Sequence, residues 1–213
     1  MIVNNTKVYD LAESIVASGY PMIAHYEPNH TAGVVACVKS YLEAAATTAG
    51  HEFEETAKPH IERAVRLANA KDGSGHKTFM SGILVSMDVT ASNVWWLQFG
   101  RYHFAQIVSS QSKMHRLKQL AEDNVATELL INKEVTWLEA GVNLYKEGKI
   151  DETTLIYSCP MGLQLTARVT TNYLQLRTIY NQRKHHKLPE WRRFCGWIET
   201  LPLAKQLITM EVE

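Results

Sequence analysis

Three stretches of the chain combine residue types and spacings that could do chemistry. In Asn93-Val94-Trp95-Trp96-Leu97-Gln98-Phe99-Gly100-Arg101-Tyr102-His103-Phe104-Ala105-Gln106, Gln98 and Arg101 stand three apart and would share a helical face. Val94, Leu97, Arg101, Phe104 and Val108 follow a 3-4-3-4 spacing, which predicts an apolar stripe with a guanidinium in its middle. A charge there is costly unless an anion meets it. An internal Asp or Glu would serve, and a bound phosphate is the sharper reading, because the planar fork of Arg suits phosphate oxygens. In the second stretch, 165–182, Leu165, Val169, Tyr173, Leu176 and Tyr180 predict one apolar helix face. Arg168 and Asn172 would share another face, with Arg177 about 140° around the axis from Asn172 at roughly 100° per residue. That helix could reach two polar pockets, although surface salt bridges would equally occupy both arginines. The third stretch is Gly75-His76-Lys77-Thr78, where His76 is either a ligand neighbour or an ordinary loop histidine.

Other constellations are poor candidates. His185-His186 lacks metal-ligand spacing, and His51-Glu52-Phe53-Glu54-Glu55 contains no His-Glu-x-x-His, so no metal site is expected. Ser109, Ser110 and Ser112 sit in no Gly-x-Ser-x-Gly elbow, which makes a ligand-facing loop more plausible than a hydrolase nucleophile. No glycine-rich phosphate loop follows a strand. The basic stretch Arg177 to Arg193 leaves nucleic-acid binding as a non-enzymatic alternative.

These residues must be positioned by a chain of 213 residues, 46% of them apolar, which is enough for a substantial core. Lys plus Arg and Asp plus Glu number 22 each, so bulk charge does not point to a nucleic-acid or membrane-surface protein. The first residues do not resemble a signal peptide, and no apolar run approaches a membrane span; a soluble, cytoplasmic protein is expected. Cys37, Cys159 and Cys195 are widely spaced and read as small apolar residues rather than a disulfide framework.

The absence of a linker or internal repeat predicts one domain over 1–213. Alternation is weak over 6–17, and Gly19-Tyr20-Pro21-Met22 reads as a turn. Helices are expected over 31–48 and 57–70, the second stopped by Asp72-Gly73-Ser74-Gly75. A half-buried strand is expected within Phe79 to Val89, where Ser86 and Asp88 alternate with Val85, Met87 and Val89. A buried helix over 92–106 would follow, then two helices over 112–148 broken near Asn132, with Leu117, Leu120, Leu129, Leu130, Trp137 and Leu138 supplying apolar faces. Pro160-Met161-Gly162 interrupts the pattern, and Pro189 could open a last helix.

From Gly75 onward the sequence resembles the flavin-dependent thymidylate synthases. Gly75-His76-Lys77-Thr78 is similar to that family's Gly-His-x-Thr/Ser. Gln98-Phe99-Gly100-Arg101-Tyr102-His103 stands where the family has Gln-x-x-Arg-His-Arg. Ala167-Arg168-Val169-Thr170-Thr171-Asn172-Tyr173-Leu174-Gln175-Leu176-Arg177 is close to Ala-Arg-x-x-x-Asn-x-Leu-x-Leu-Arg, the most specific of the three. The resemblance implies an α+β fold with a central, mostly antiparallel sheet and a large helical part. It also implies methylation of deoxyuridylate, dUMP to dTMP, or of a related pyrimidine nucleotide.

By that resemblance His76, Thr78, Arg101, His103, Arg168 and Asn172 would contact FAD, while Gln98, Arg101, Ser109, Gln111, Ser112, Lys113 and Arg177 would contact the nucleotide. Arg177 and His76 would be the catalytic pair, Arg177 favouring the ionised pyrimidine. NADPH would reduce the flavin and methylenetetrahydrofolate would supply the one-carbon unit. The assembly implied is a homotetramer with active sites built from several subunits. Of the family signature Arg-His-Arg-x-x-Ser only the first Arg is present: Tyr102, His103 and Gln106 replace the rest, and Lys113 stands at the position of a later Arg. Lys keeps the charge and loses the bidentate fork, which predicts weaker or differently shaped substrate recognition. A retained fold with altered or lost chemistry is the alternative.

Overall fold

The structure, a computed structural model, describes residues 1–44, 51–71, 73–123 and 135–210. It is α+β, with a four-stranded antiparallel sheet and a large helical part, as expected. The strands are β1 (Ile2–Tyr9), β2 (Leu84–Ser92), β3 (Gln106–Ser110) and β4 (Gln164–Asn172), in the order β1-β2-β4-β3. The chain divides into two compact units, each assembled from three segments.

The first unit comprises Met1–Thr6, Ser86–Thr170 and Lys187–Phe194. Strand β2 forms because its apolar residues alternate: Val85, Met87, Val89 and Ala91 are buried, and Ser86, Asp88 and Thr90 face the other way. Across that second face Ser86 meets Thr170 at 3.0 Å, Asp88 meets Arg168 at 3.1 Å, and Thr90 meets Thr166 at 2.7 Å. Each pair steps two residues forward on β2 and two back on β4, which is antiparallel register. Ser92 ends β2 and caps helix α4 (Asn93–Phe99), its hydroxyl oxygen accepting from the Trp95 amide at 3.3 Å. The same hydroxyl donates to the buried carboxylate of Glu190 at 2.5 Å, which also accepts from the Ser92 amide at 2.9 Å. Trp95 packs against Phe99, Trp191 and Phe194, with ring centroids 4.6, 4.8 and 5.3 Å away.

Helices α5 (Lys113–Asp123), α6 (Val135–Lys146) and α7 (Glu152–Tyr157) complete this unit. Leu117, Leu138, Val142, Leu155, Leu163 and Leu165 form its second apolar cluster. The break expected near Asn132, with Leu129 and Leu130, lies outside the described residues.

The second unit comprises Lys7–Val85, Thr171–His186 and Cys195–Glu213. Helix α1 (Leu11–Ala17) packs with α2 (Pro28–Ala44) and α3 (His51–Ala68), burying Ala12, Ile15, Val38, Ala57 and Ala64. Residues 45–48 of the expected second helix, and Asp72 in the expected stop, lie outside the described residues. A 3₁₀ turn over His76–Ser81 leads toward β2, entered from Gly75 at φ 78°, a left-handed conformation that glycine adopts without steric cost. Helices α8 (Tyr173–Arg183), α9 (Pro189–Ile198, its first part in the other unit) and α10 (Ala204–Leu207) end the chain. Pro189 opens α9 as expected.

Two expectations are corrected. The helix predicted over 92–106 stops at Phe99, and β3 begins at Gln106, so Arg101 is not held in a buried stripe. Leu97, Phe104 and Val108 are 66, 71 and 62% exposed. The helix predicted over 165–182 is instead β4 followed by α8: Leu165, Ala167, Val169 and Thr171 are buried in strand alternation, and Asn172 is the cap between the two elements.

Candidate functional site

In the second unit, His76 and Thr78 lie on a recess of about 700 Å³. Its wall includes Gly75, Phe79, Met22, Leu67, Arg63 and Arg66. Both His76 and Thr78 are exposed, and the Thr78 hydroxyl donates to the Gly75 carbonyl at 2.7 Å, tightening the 3₁₀ turn that carries them. None of the lining residues is Asp or Glu. The recess has the size of a cofactor cleft, with apolar surface for a ring system and cationic groups for phosphate.

Arg63 is the better anchored of the two arginines. Its Nη2 donates to the carbonyls of Ile15 and Val16 at 3.3 and 3.2 Å and to His60 Nδ1 at 3.0 Å, while its Nε donates to Ser18 Oγ at 3.3 Å. The guanidinium thereby satisfies the last turn of α1, which has no basic residue of its own. Burial, then the neighbouring charge of Arg66, lowers the Arg63 pKa; burial, then Arg63, then His30, lowers that of His60.

Asn172 and Arg177 belong to the same unit. Asn172 Oδ1 accepts from the Gln175 amide at 2.8 Å and caps α8. Arg177 is 4% exposed, and its Nη1 donates to the Leu207 carbonyl at 2.7 Å. Neither lines the recess that holds His76.

The remaining predicted residues lie in the first unit. Gln98 Oε1 accepts from the Trp191 indole at 2.7 Å, which commits that oxygen and leaves the amide NH₂ as the donor end. Arg101 and His103 are exposed in the turns after α4. Arg168 Nη1 donates to the Asn5 carbonyl at 2.9 Å and to Asp88 at 3.1 Å, and Asp88 is held below the usual carboxylate range by Asn5 and then by Arg168. Ser109 is exposed on β3 opposite Arg168, next to a bulge between Ile107 and Ser109. Gln111 extends the ladder by one step past Ser110, its backbone amide donating to the Thr166 carbonyl and its Oε1 accepting from the Thr166 amide, each at 2.9 Å. The Ser112 carbonyl accepts from the Arg116 amide at 2.9 Å at the start of α5. Lys113 shares a second recess, of about 290 Å³, with Ser110, Asn93, Trp96, Leu97 and Met161.

Sequence reasoning missed Arg63, Arg66, Asp88 and Glu190. The i, i+3 spacing of Arg63 and Arg66 on a strongly amphipathic stretch was a readable signal for the first two. Asp88 and Glu190 act through partners 80 and 98 residues away, which no local pattern displays. Among the described residues no group of His, Cys, Asp and Glu could hold a metal ion, and no helix is long and apolar enough to cross a membrane.

No protein-family description matches the chain. No curated protein matches it either. Solved structures do. A flavin-dependent thymidylate synthase from Helicobacter pylori, complexed with FAD and dUMP, superposes with a TM-score of 0.62 at 18% identity, covering 87% of this chain and 96% of that one. A second structure of the Helicobacter pylori enzyme with FAD and dUMP gives 0.62 at 19% identity, covering 87% and 95%. A UMP/dUMP methylase from Streptomyces cacaoi bound with 5-Br dUMP gives 0.50 at 13% identity, covering 81% and 90%. The likeness is one of fold: the chain has the fold of the flavin-dependent thymidylate synthases.

Proposed function

We propose that this chain is a flavoenzyme that methylates a pyrimidine deoxynucleotide, deoxyuridylate or a close relative. The observation that carries the reading is the recess of about 700 Å³ presenting His76 and Thr78, the residues that match the family's flavin motif. The fold shared with enzymes crystallised with FAD and dUMP supports it. FAD, reduced by NADPH, would supply hydride to complete a methyl group whose carbon comes from methylenetetrahydrofolate.

The chain's own residues would bind and orient. His76 and Thr78 hold the flavin side, with Arg168 and Asn172 assigned to the same cofactor. Gln98, its oxygen committed to Trp191, presents NH₂ to a pyrimidine carbonyl oxygen. Arg101, exposed with His103 in the turns after α4, neutralises phosphate, and Ser109, Gln111, Ser112 and Lys113 complete the nucleotide contacts. Arg177 favours the ionised pyrimidine, making the ring carbon nucleophilic without thiolate attack. The proposed assembly is a homotetramer in which subunits share active sites.

A second reading keeps the fold and the flavin with different chemistry. It is favoured by Gln111, whose side chain is engaged by the Thr166 amide, and by Lys113 in place of an Arg fork. The test is the absorption spectrum of purified protein after incubation with FAD and desalting, followed by assay with deoxyuridylate, methylenetetrahydrofolate and NADPH. Retained flavin with thymidylate formed supports the first reading, retained flavin without it supports the second, and no retained flavin rejects both.

A further inference from the structure

We infer that Arg66 is the phosphate anchor of the recess beside His76, with Arg63 fixed behind it, and that the anion it takes is the diphosphate of a dinucleotide. Because the ligand is identified as FAD, the inference rests on the flavin reading.

Of the four hydroxyls on the recess wall, that of Ser14 is buried, while Ser18 donates to the Ile15 carbonyl at 2.7 Å, Thr78 to Gly75 at 2.7 Å and Ser81 to Thr78 at 2.6 Å, so the protons of these last three are committed to backbone oxygens. Arg63 has spent Nε and Nη2 on Ser18, Ile15, Val16 and His60. Arg66 is exposed, and among the described residues its guanidinium has no hydrogen bond or ion pair.

The charge balance points the same way. Arg63 and Arg66 stand one turn apart on α3, close enough for Arg66 to bear on Arg63, and like charges at that spacing are mutually unfavourable. Among the described residues no carboxylate is paired with either, and none lines the recess. A diphosphate would neutralise this wall, while Met22, Leu67 and Phe79 offer apolar surface to the rest of the ligand. Arg63 would give up its hydrogen bonds to Ile15, Val16, Ser18 and His60 by leaving its place, so its role is positional, and the adaptable fork is that of Arg66.

The test compares FAD, riboflavin and ADP on the full chain and on Arg66→Ala and Arg66→Gln, with melting temperature as the folding control. Riboflavin carries the ring without phosphate, and ADP carries diphosphate without the ring. The expected result is at least a tenfold loss of FAD and ADP affinity in both variants, with riboflavin affinity unchanged. FAD bound equally well by wild type and both variants would overturn the inference and leave the flavin reading standing. ADP bound through Arg66 by a wild-type protein that binds neither flavin would retain the phosphate site and reject the flavin reading. Binding of none of the three would overturn both.

Discussion

The indole N–H of Trp191 on α9 donates to the side-chain oxygen of Gln98 on α4 at 2.7 Å, joining two helices of the same compact unit through the residue proposed to read a pyrimidine edge. The bond sets which end of the amide is free. Trp191→Phe keeps an aromatic ring in the cluster with Trp95 and Phe194 and removes only the donor and part of the volume. The expected cost is about 1–3 kcal/mol in urea unfolding. A double-mutant cycle with Gln98→Ala should give a coupling of at least about 0.5 kcal/mol. Additive single effects would mean that the bond does not orient Gln98 in solution.

Ser92 serves two partners at once, the Trp95 amide and the buried carboxylate of Glu190. Ser92→Ala removes a helix cap and leaves a buried anion short of one donor, so a loss of about 2–3 kcal/mol is expected. Ser92→Thr, which keeps the hydroxyl, should recover most of it. Urea midpoints of the two variants separate the cap from nonspecific packing damage.

Stability should fall on the acid side in two separate windows. His60 accepts from Arg63 in its neutral form, and burial followed by the Arg63 charge holds its pKa below the ordinary 6.5. The unfolded chain therefore takes up the proton first, so this contribution is fully present above the unfolded pKa and is lost as pH falls through the lower folded pKa. Asp88, held down by Asn5 and Arg168, has its full contribution above the usual carboxylate range and loses it as pH falls through that range to its lower folded pKa. Urea midpoints measured from pH 8 to pH 4 should decline below about 6.5 in wild type. His60→Gln, whose amide oxygen can still accept from Arg63, should flatten that decline.

Lys113 carries a point charge where the resembled family has a guanidinium fork. If the proposed nucleotide contacts hold, Lys113→Arg should tighten deoxyuridylate binding by roughly three- to tenfold through bidentate phosphate contact. Isothermal titration at fixed salt reads this directly. An unchanged affinity would remove Lys113 from the nucleotide site.

The cysteines should prove dispensable for any methyl transfer. Burial pushes the Cys195 thiol up to about 12 and raises that of Cys159 against the opposing charge of Lys113. Thiolate is thus suppressed at both. Iodoacetamide at pH 8 should label half-buried Cys37 first and reach Cys195 only on unfolding. Mass spectrometry of the alkylated chain gives the order, and activity surviving Cys195→Ala and Cys159→Ala would agree with a mechanism free of a thiol nucleophile.

Much of the architecture was legible locally. Strand β2 could be read from Val85, Met87 and Val89, the start of α9 from Pro189, and the turn beside His76 from Gly73 and Gly75. Helix α4 was legible at its beginning but not at its end, because Leu97, Phe104 and Val108 mimic a continuing apolar stripe although all three are exposed. A spacing pattern counts apolar residues without knowing which of them find a core.

The stretch from Leu165 to Tyr180 shows where the sequence alone stopped. It carries two periods together: Leu165, Val169, Tyr173 and Leu176 suit a helix, while Leu165, Ala167 and Val169 alternate as a strand. By itself the sequence determined which residue types occupy this stretch, including the arginines and the asparagine, and it supplied a cap at Asn172. Only tertiary structure decided that residues before the cap are extended. Thr166, Arg168 and Thr170 have their partners in Thr90, Asp88 and Ser86, about eighty residues earlier, and those cross-strand contacts stabilise the strand over the helix that local propensity also allowed.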